Sequence, residues 1–164
     1  MAEQILYPAA GSKEEIYISI LPQIKALVED ESDLIANLGN ITAVLKEAFN
    51  HLWIGFYLVK SENELVLGPF QGSLACTRIR KGRGVCGTAW ETAATQVVAD
   101  VNAIPNHICC DARSRSEIVV PLVCDNKVWG VLDIDSDELG SFDNIDREYL
   151  ERLCNEIISC KEYK

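Results

Sequence analysis

The chain has 164 residues, enough for one domain with one sizeable core. Apolar residues make up 48% and charged residues 24%, an ordinary balance for a water-soluble globular protein. A net charge of −10 with no basic stripe argues against a nucleic-acid role, and no apolar run approaches the ~20 residues of a membrane span.

Residues 1–11 contain Glu3 and no basic segment ahead of an apolar stretch. They read as mature sequence rather than a signal peptide, which makes the cytosol the default compartment. Ser12-Lys13-Glu14-Glu15 is a capping box, and Ile16, Ile20, Ile24, Leu27 and Val28 follow at helical spacing. Pro22 lies inside that pattern and should kink the helix or start it afresh. Ser32 or Asp33 caps a second helix with Leu34, Ile35, Leu38, Ile41, Leu45, Ala48 and Phe49 on one face.

From Leu52 the period becomes that of strands. Residues 53–59 and 64–67 form a hairpin about Ser61-Glu62-Asn63, and Gly68-Pro69 ends it. A short strand is expected at 72–75, then a solvated basic loop at 78–83. A helix follows from about Val85 to Ala93, then a strand at 96–99. Residues 101–112 lack a period and form a loop carrying His107, Cys109 and Cys110. Two strong strands, 116–123 and 127–135, turn at Asp125-Asn126. A helix from about 143 to 160 closes the chain, with Ile145, Tyr149, Leu153, Ile157 and Ile158 inward. The pattern is α+β, with a central, mainly antiparallel sheet flanked by N-terminal and C-terminal helices. It reads as one domain over 1–164: a helical segment at about 12–50, sheet and active loops at about 52–136, and the terminal helix.

Chemistry gathers on the cysteines and acids. The seven cysteines are an odd number, so at least one stays unpaired within a monomer. No C-x-x-C pair favours a zinc ribbon, and two histidines add no strong metal argument. Cys124, Cys154 and Cys160 read as small packed side chains. Cys110 shares its loop with Arg113 and Arg115, which favour a thiolate, and with Asp111, which opposes it. Asp133 and Asp135 lie two apart on a strand and share a face, while Leu132 and Ile134 take the other. An acidic edge strand kept for solubility is the plain alternative. Glu117 opens the neighbouring strand, so the three acids form a cluster that an ammonium group would satisfy. Trp53 and Tyr57 also share a face, as core packing or as a pocket wall. A thiolate can attack an electrophilic sulfur, and a second thiol can clear the oxidised product as a disulfide. The residues therefore point to a thiol redox enzyme for a small, amine-bearing molecule.

Gly82-x-Gly84-Val85-x-Gly87, then Gln96-Val97-Val98-Ala99-Asp100, two apolar strands and a last helix resemble the GAF domain. Finer motifs occur in order: Trp53-Ile-Gly-Phe-Tyr57, Gly68-Pro69-Phe70-Gln71-Gly72, Ala75-Cys76, Gly84-Val85-Cys86-Gly87 and His107-Ile-Cys-Cys110-Asp111. Ser114-x-Ser116-Glu117 and Val131-Leu-Asp133-Ile-Asp135-Ser136 follow. Over nearly the whole chain this is similar to the free methionine-(R)-sulfoxide reductases, a GAF-fold family.

The resemblance implies that Cys110 attacks the sulfoxide sulfur, that Cys76 forms the recycling disulfide with it, and that Cys86 is auxiliary. It implies that Glu117, Asp133 and Asp135 hold the substrate amine and assist at the sulfoxide oxygen. Trp53 and Tyr57 would wall the substrate methyl, and the backbone at Ile108, Cys109 and Cys110 would receive its carboxylate. Cys109 itself departs from the small non-thiol residue expected there. The implied electrons come from thioredoxin, with no metal or bound cofactor, and a homodimer is admitted. Two rival readings are a non-enzymatic GAF sensor for a small ligand and a cysteine-based peroxide sensor.

Overall fold

The computed structural model describes residues 4–158. Helices α1 (Lys13–Glu29) and α2 (Leu34–Phe49) precede a hairpin of strands β1 (Trp53–Ser61) and β2 (Glu64–Gln71). Strand β3 (Arg78–Arg80), helix α3 (Gly84–Thr92) and strand β4 (Gln96–Val98) lead to a 3-10 turn at Val101–Ala103. Strands β5 (Ser116–Cys124) and β6 (Lys127–Ser136) form a second hairpin, and helix α4 (Asn144–Arg152) runs into a π-helical turn at Leu153–Ile157. The six strands lie in the order β3-β2-β1-β6-β5-β4, and every neighbouring pair is antiparallel. The expected α+β architecture holds.

Strand alternation separates two apolar layers. Ile54, Phe56, Leu58, Ile118, Val120, Leu122, Leu132 and Ile134 face α1, α2 and α4 in the larger core. Each such side chain, fully buried, contributes roughly 1.5–3 kcal/mol. Trp53, Tyr57, Val119 and Val131 face the other way, against α3. That second face carries the chemistry.

Several expectations need correction. Helix α1 runs unbroken through Pro22. The proline is exposed, as is Ile18, whose carbonyl loses its hydrogen-bond donor on the solvent side. Gly68-Pro69 does not end β2, which continues to Gln71. Strand β3 pairs only with Glu64 to Val66, so Pro69 lies where no neighbour needs its missing N–H, beside a register shift against β1. Residues 72–75 form no strand, and the edge strand is instead Arg78–Arg80, within the stretch read as a basic loop. Ile79 is buried there between two exposed arginines. Ile35 is 55% exposed and leaves the α2 core face. Positions 159 and 160 of the expected last helix lie outside the described residues.

α1 and α4 are tied through their first turns. Tyr17 donates to Asp146 at 2.9 Å, and Lys13 contacts Asp143 and Asp146. His51 packs nearby between Phe49 and Phe142, with its Nε2 buried and unpartnered. Burial, with Lys13 and Lys46 adding repulsion, pushes its pKa down to about 4. The unfolded chain takes up this proton near the ordinary value of about 6.5, so stability falls as pH drops from about 6.5 towards 4, by up to roughly 3 kcal/mol. Urea melts at about pH 7 and about pH 5 should differ less for His51→Gln than for the parent. An unchanged difference would clear His51 of any part in acid sensitivity.

Candidate active site

The strand register builds the floor of the site. Trp53 on β1, Asp135 on β6 and Glu117 on β5 are direct cross-strand neighbours. Gly55, Asp133 and Val119 form the next row, then Tyr57, Val131 and Pro121. Two acids on β6 are therefore central in the sheet, which removes the edge-strand alternative. A Cβ on Gly55 would stand 2.3 Å from the Trp53 ring, so a side chain there would displace the indole.

Two loops cover this floor. The loop after β2 carries Ser73 and Cys76, and the loop before β5 carries His107, Ile108, Cys110 and Asp111. Trp53 Nε1 donates to the Ser73 carbonyl at 3.1 Å, and the Tyr57 hydroxyl donates to the Cys76 carbonyl at 2.9 Å. Ser73 Oγ donates to Asp111 Oδ2 at 2.7 Å, tying the loops together. Cys76 and Cys110 are disulfide-bonded, with Cα atoms 5.8 Å apart. The pocket between the loops and this floor has about 550 Å³ of empty space, part of it open to solvent. Trp53, Tyr57, Cys86, Ile108, Cys110 and the three acids all line it.

The acids are held in an unusual state. Glu117 is 5% exposed and Asp133 7%. Burial raises both well above the ordinary carboxylate range, and the neighbouring Asp135 adds to it. Asp135 is pushed up to about 6, mainly by burial; a Ser114 hydrogen bond at 2.8 Å and His107 act against the rise. Asp133 Oδ1 has no hydrogen-bond partner. Such a cluster favours a proton or a cation among its members. Cys86, in the first turn of α3, is buried beside Asp133 and Glu117, and burial pushes its thiol well up. It is therefore a weak nucleophile in this state. Arg113 is engaged with Asp111, whose carboxyl it holds below the usual range, so its charge is locally cancelled.

The family model described as "GAF domain" matches residues 33–159. A protein named free methionine-R-sulfoxide reductase from Escherichia coli is 43% identical over 93% of this chain and 94% of its own length. The chain belongs to the free methionine-R-sulfoxide reductase family. An X-ray structure of the Neisseria meningitidis member, in complex with its substrate, superposes with a TM-score of 0.88. It is 56% identical and covers 91% of this chain and 90% of its own. A Dictyostelium discoideum relative, GAF domain-containing protein A, is 59% identical over 93% of this chain and 96% of its own.

The chain is thus an oxidoreductase of the free methionine-R-sulfoxide reductase type. One expected site residue sits apart from the rest. Cys109 is exposed and does not line the pocket. Cys86 lines the pocket from helix α3, beside Glu117 and Asp133. Three residues given no role by sequence reasoning join the site: His107, with Nε2 3.6 Å from Glu117 Oε2, Ser114 on Asp135, and Ser73. His107 and Ser114 stand in the motifs quoted above, but motif position alone does not reveal the acid each one meets. Among the other cysteines, Cys154 is buried in the larger core as expected, whereas Cys124 is disulfide-bonded rather than a simple packed thiol. Cys160 lies outside the described residues. Among those residues, no helix is long and apolar enough to cross a membrane.

Proposed function

We propose that the protein reduces free L-methionine-(R)-sulfoxide to L-methionine with its own thiols. The observation that carries this is the Cys76–Cys110 disulfide at the rim of a pocket floored by Glu117, Asp133 and Asp135. The Cys110 thiolate attacks the sulfoxide sulfur. A buried acid gives its proton to the sulfoxide oxygen, which passes to Cys110 as a sulfenic acid while methionine leaves reduced. Cys76 condenses with the sulfenic acid, forming the disulfide and releasing water. An external dithiol, thioredoxin in the cytoplasm, returns two electrons and both thiol protons. These steps use the chain's own groups and that dithiol alone. Assembly, including a homodimer, enters none of them.

Asp135, the least perturbed acid, is ionised at neutral pH and takes the substrate ammonium. Glu117 and Asp133 are pushed further and serve as the proton reserve. Backbone amides from Ile108 to Cys110 receive the carboxylate, and Trp53 and Tyr57 wall the methyl. Cys86 is auxiliary, packing against Asp133 and fixing its position.

Incubation with methionine sulfoxide and dithiothreitol should yield methionine; binding without methionine formation would favour a sensor. Within that assay the acids should separate. Asp135→Asn should mainly raise KM, because binding is lost. Glu117→Gln should mainly lower kcat, because the amide has no proton to give at the oxygen. Unaltered kinetics in Glu117→Gln, Asp133→Asn and Asp135→Asn alike would reduce the cluster to structure.

A further inference from the structure

Cys86 is the buried nucleophilic group that the proposed turnover leaves unused. It is 3% exposed, and its Sγ lies within 4.8 Å of a carboxylate oxygen from each of Glu117 and Asp133, which are themselves within that distance of each other. These donors come from three separate elements, α3, β5 and β6, so no sequence spacing announces them. Asp133 Oδ1 is buried without a hydrogen-bond partner. An ammonium can satisfy the carboxylates but gains little from a sulfur, which is a weak acceptor. One thiolate with two carboxylates is instead a donor set for a borderline-soft divalent ion such as Zn²⁺ or Cd²⁺; Mg²⁺ and Ca²⁺ prefer oxygen throughout. Bonds of about 2.3 Å to sulfur and 2.0–2.2 Å to oxygen bring tetrahedral donors to roughly 3.5 Å from one another. The three atoms need only draw inward, and the fourth position faces the pocket that all three line.

We propose that Cys86, Glu117 and Asp133 form an inhibitory site for a thiophilic divalent cation of the zinc class, beside Asp135, which takes the substrate's ammonium. The three-donor site stands on the structure alone; the competition with substrate rests on the function proposed above. A cation bound there neutralises the acids, withdraws their proton from the reaction and blocks the amine. Zinc-class ions would then act as competitive inhibitors.

The test uses the oxidised protein, in which the Cys76–Cys110 disulfide supplies no thiolate, with exposed Cys109 blocked by iodoacetamide. Titration with Cd²⁺ should give a saturable ultraviolet thiolate-to-cadmium band at one ion per chain, and Zn²⁺ should remove it. Cys86→Ser should abolish the band. Asp133→Asn, whose fold is checked by circular dichroism, should keep the thiol yet weaken binding by more than the roughly 10- to 100-fold that loss of an outer-shell partner costs. Free methionine sulfoxide should displace Cd²⁺, and N-acetylmethionine sulfoxide should not. No saturable band, or a band unaltered in Cys86→Ser, overturns the site. A normal band that methionine sulfoxide does not displace overturns the competition and counts against the ammonium assignment, while the three-donor site stands.

Discussion

Replacing Cys110 by serine should reduce methionine formation to background, a loss of roughly three orders of magnitude or more, because a hydroxyl is a poor nucleophile towards a sulfoxide sulfur. Cys76→Ser should behave differently. The attack comes first, so this variant should still release about one methionine per chain before stopping, and thioredoxin should not sustain it. The disulfide between these residues, with Cα atoms 5.8 Å apart, shows that they can pair without rearranging the fold. Rapid-quench measurement of methionine per chain separates the two roles. Full activity in Cys110→Ser would end the assignment. Normal thioredoxin-driven rates in Cys76→Ser would pass the resolving role to another thiol, with Cys109 the exposed candidate.

Blocking the substrate's amine should be nearly as damaging. The acids lie on the pocket floor, and Asp133 retains a buried oxygen without a partner. An N-acetylated or peptide-bound sulfoxide brings no ammonium to this cluster and must also accommodate its acyl group there. Leaving a buried charge unpaired costs about 3 kcal/mol or more, so kcat/KM should fall by roughly a hundredfold or more. Amidating the carboxylate should cost less, because neutral backbone amides tolerate a carbonyl better than a carboxylate tolerates a missing cation. Comparable kcat/KM for the free and N-acetylated compounds would remove Asp135, Glu117 and Asp133 from amine binding.

Much of this was legible in the residues. The two-residue alternation of β1 and β6 places Trp53, Tyr57, Val131, Asp133 and Asp135 on one face and Leu132 and Ile134 on the other, as the structure has it. What periodicity could not supply was contact between distant segments. Glu117 meets His107 across a loop, and Cys86 meets Asp133 through helix packing. Nor can a local pattern distinguish an edge strand from a central one, so the acids of β6 had a solubility reading until strand order was known. Pro69 shows the same limit: a strand keeps a proline where no neighbour claims its amide, and only the short span of β3 reveals that.

The cysteine pair has a consequence beyond chemistry. Cys76 and Cys110 are 34 positions apart, and the segment between them contains β3 and β4, the two outermost strands of the sheet. Oxidation therefore closes a covalent ring that includes both margins of the sheet, and reduction opens it again. In chain-entropy terms a ring of this size restricts the unfolded chain enough to favour the native state by about 4 kcal/mol. On the proposed cycle, each turnover alternates a tethered molecule with an untethered one. On that cycle the protein is hardest to unfold while it waits for electrons, and it loosens once they arrive.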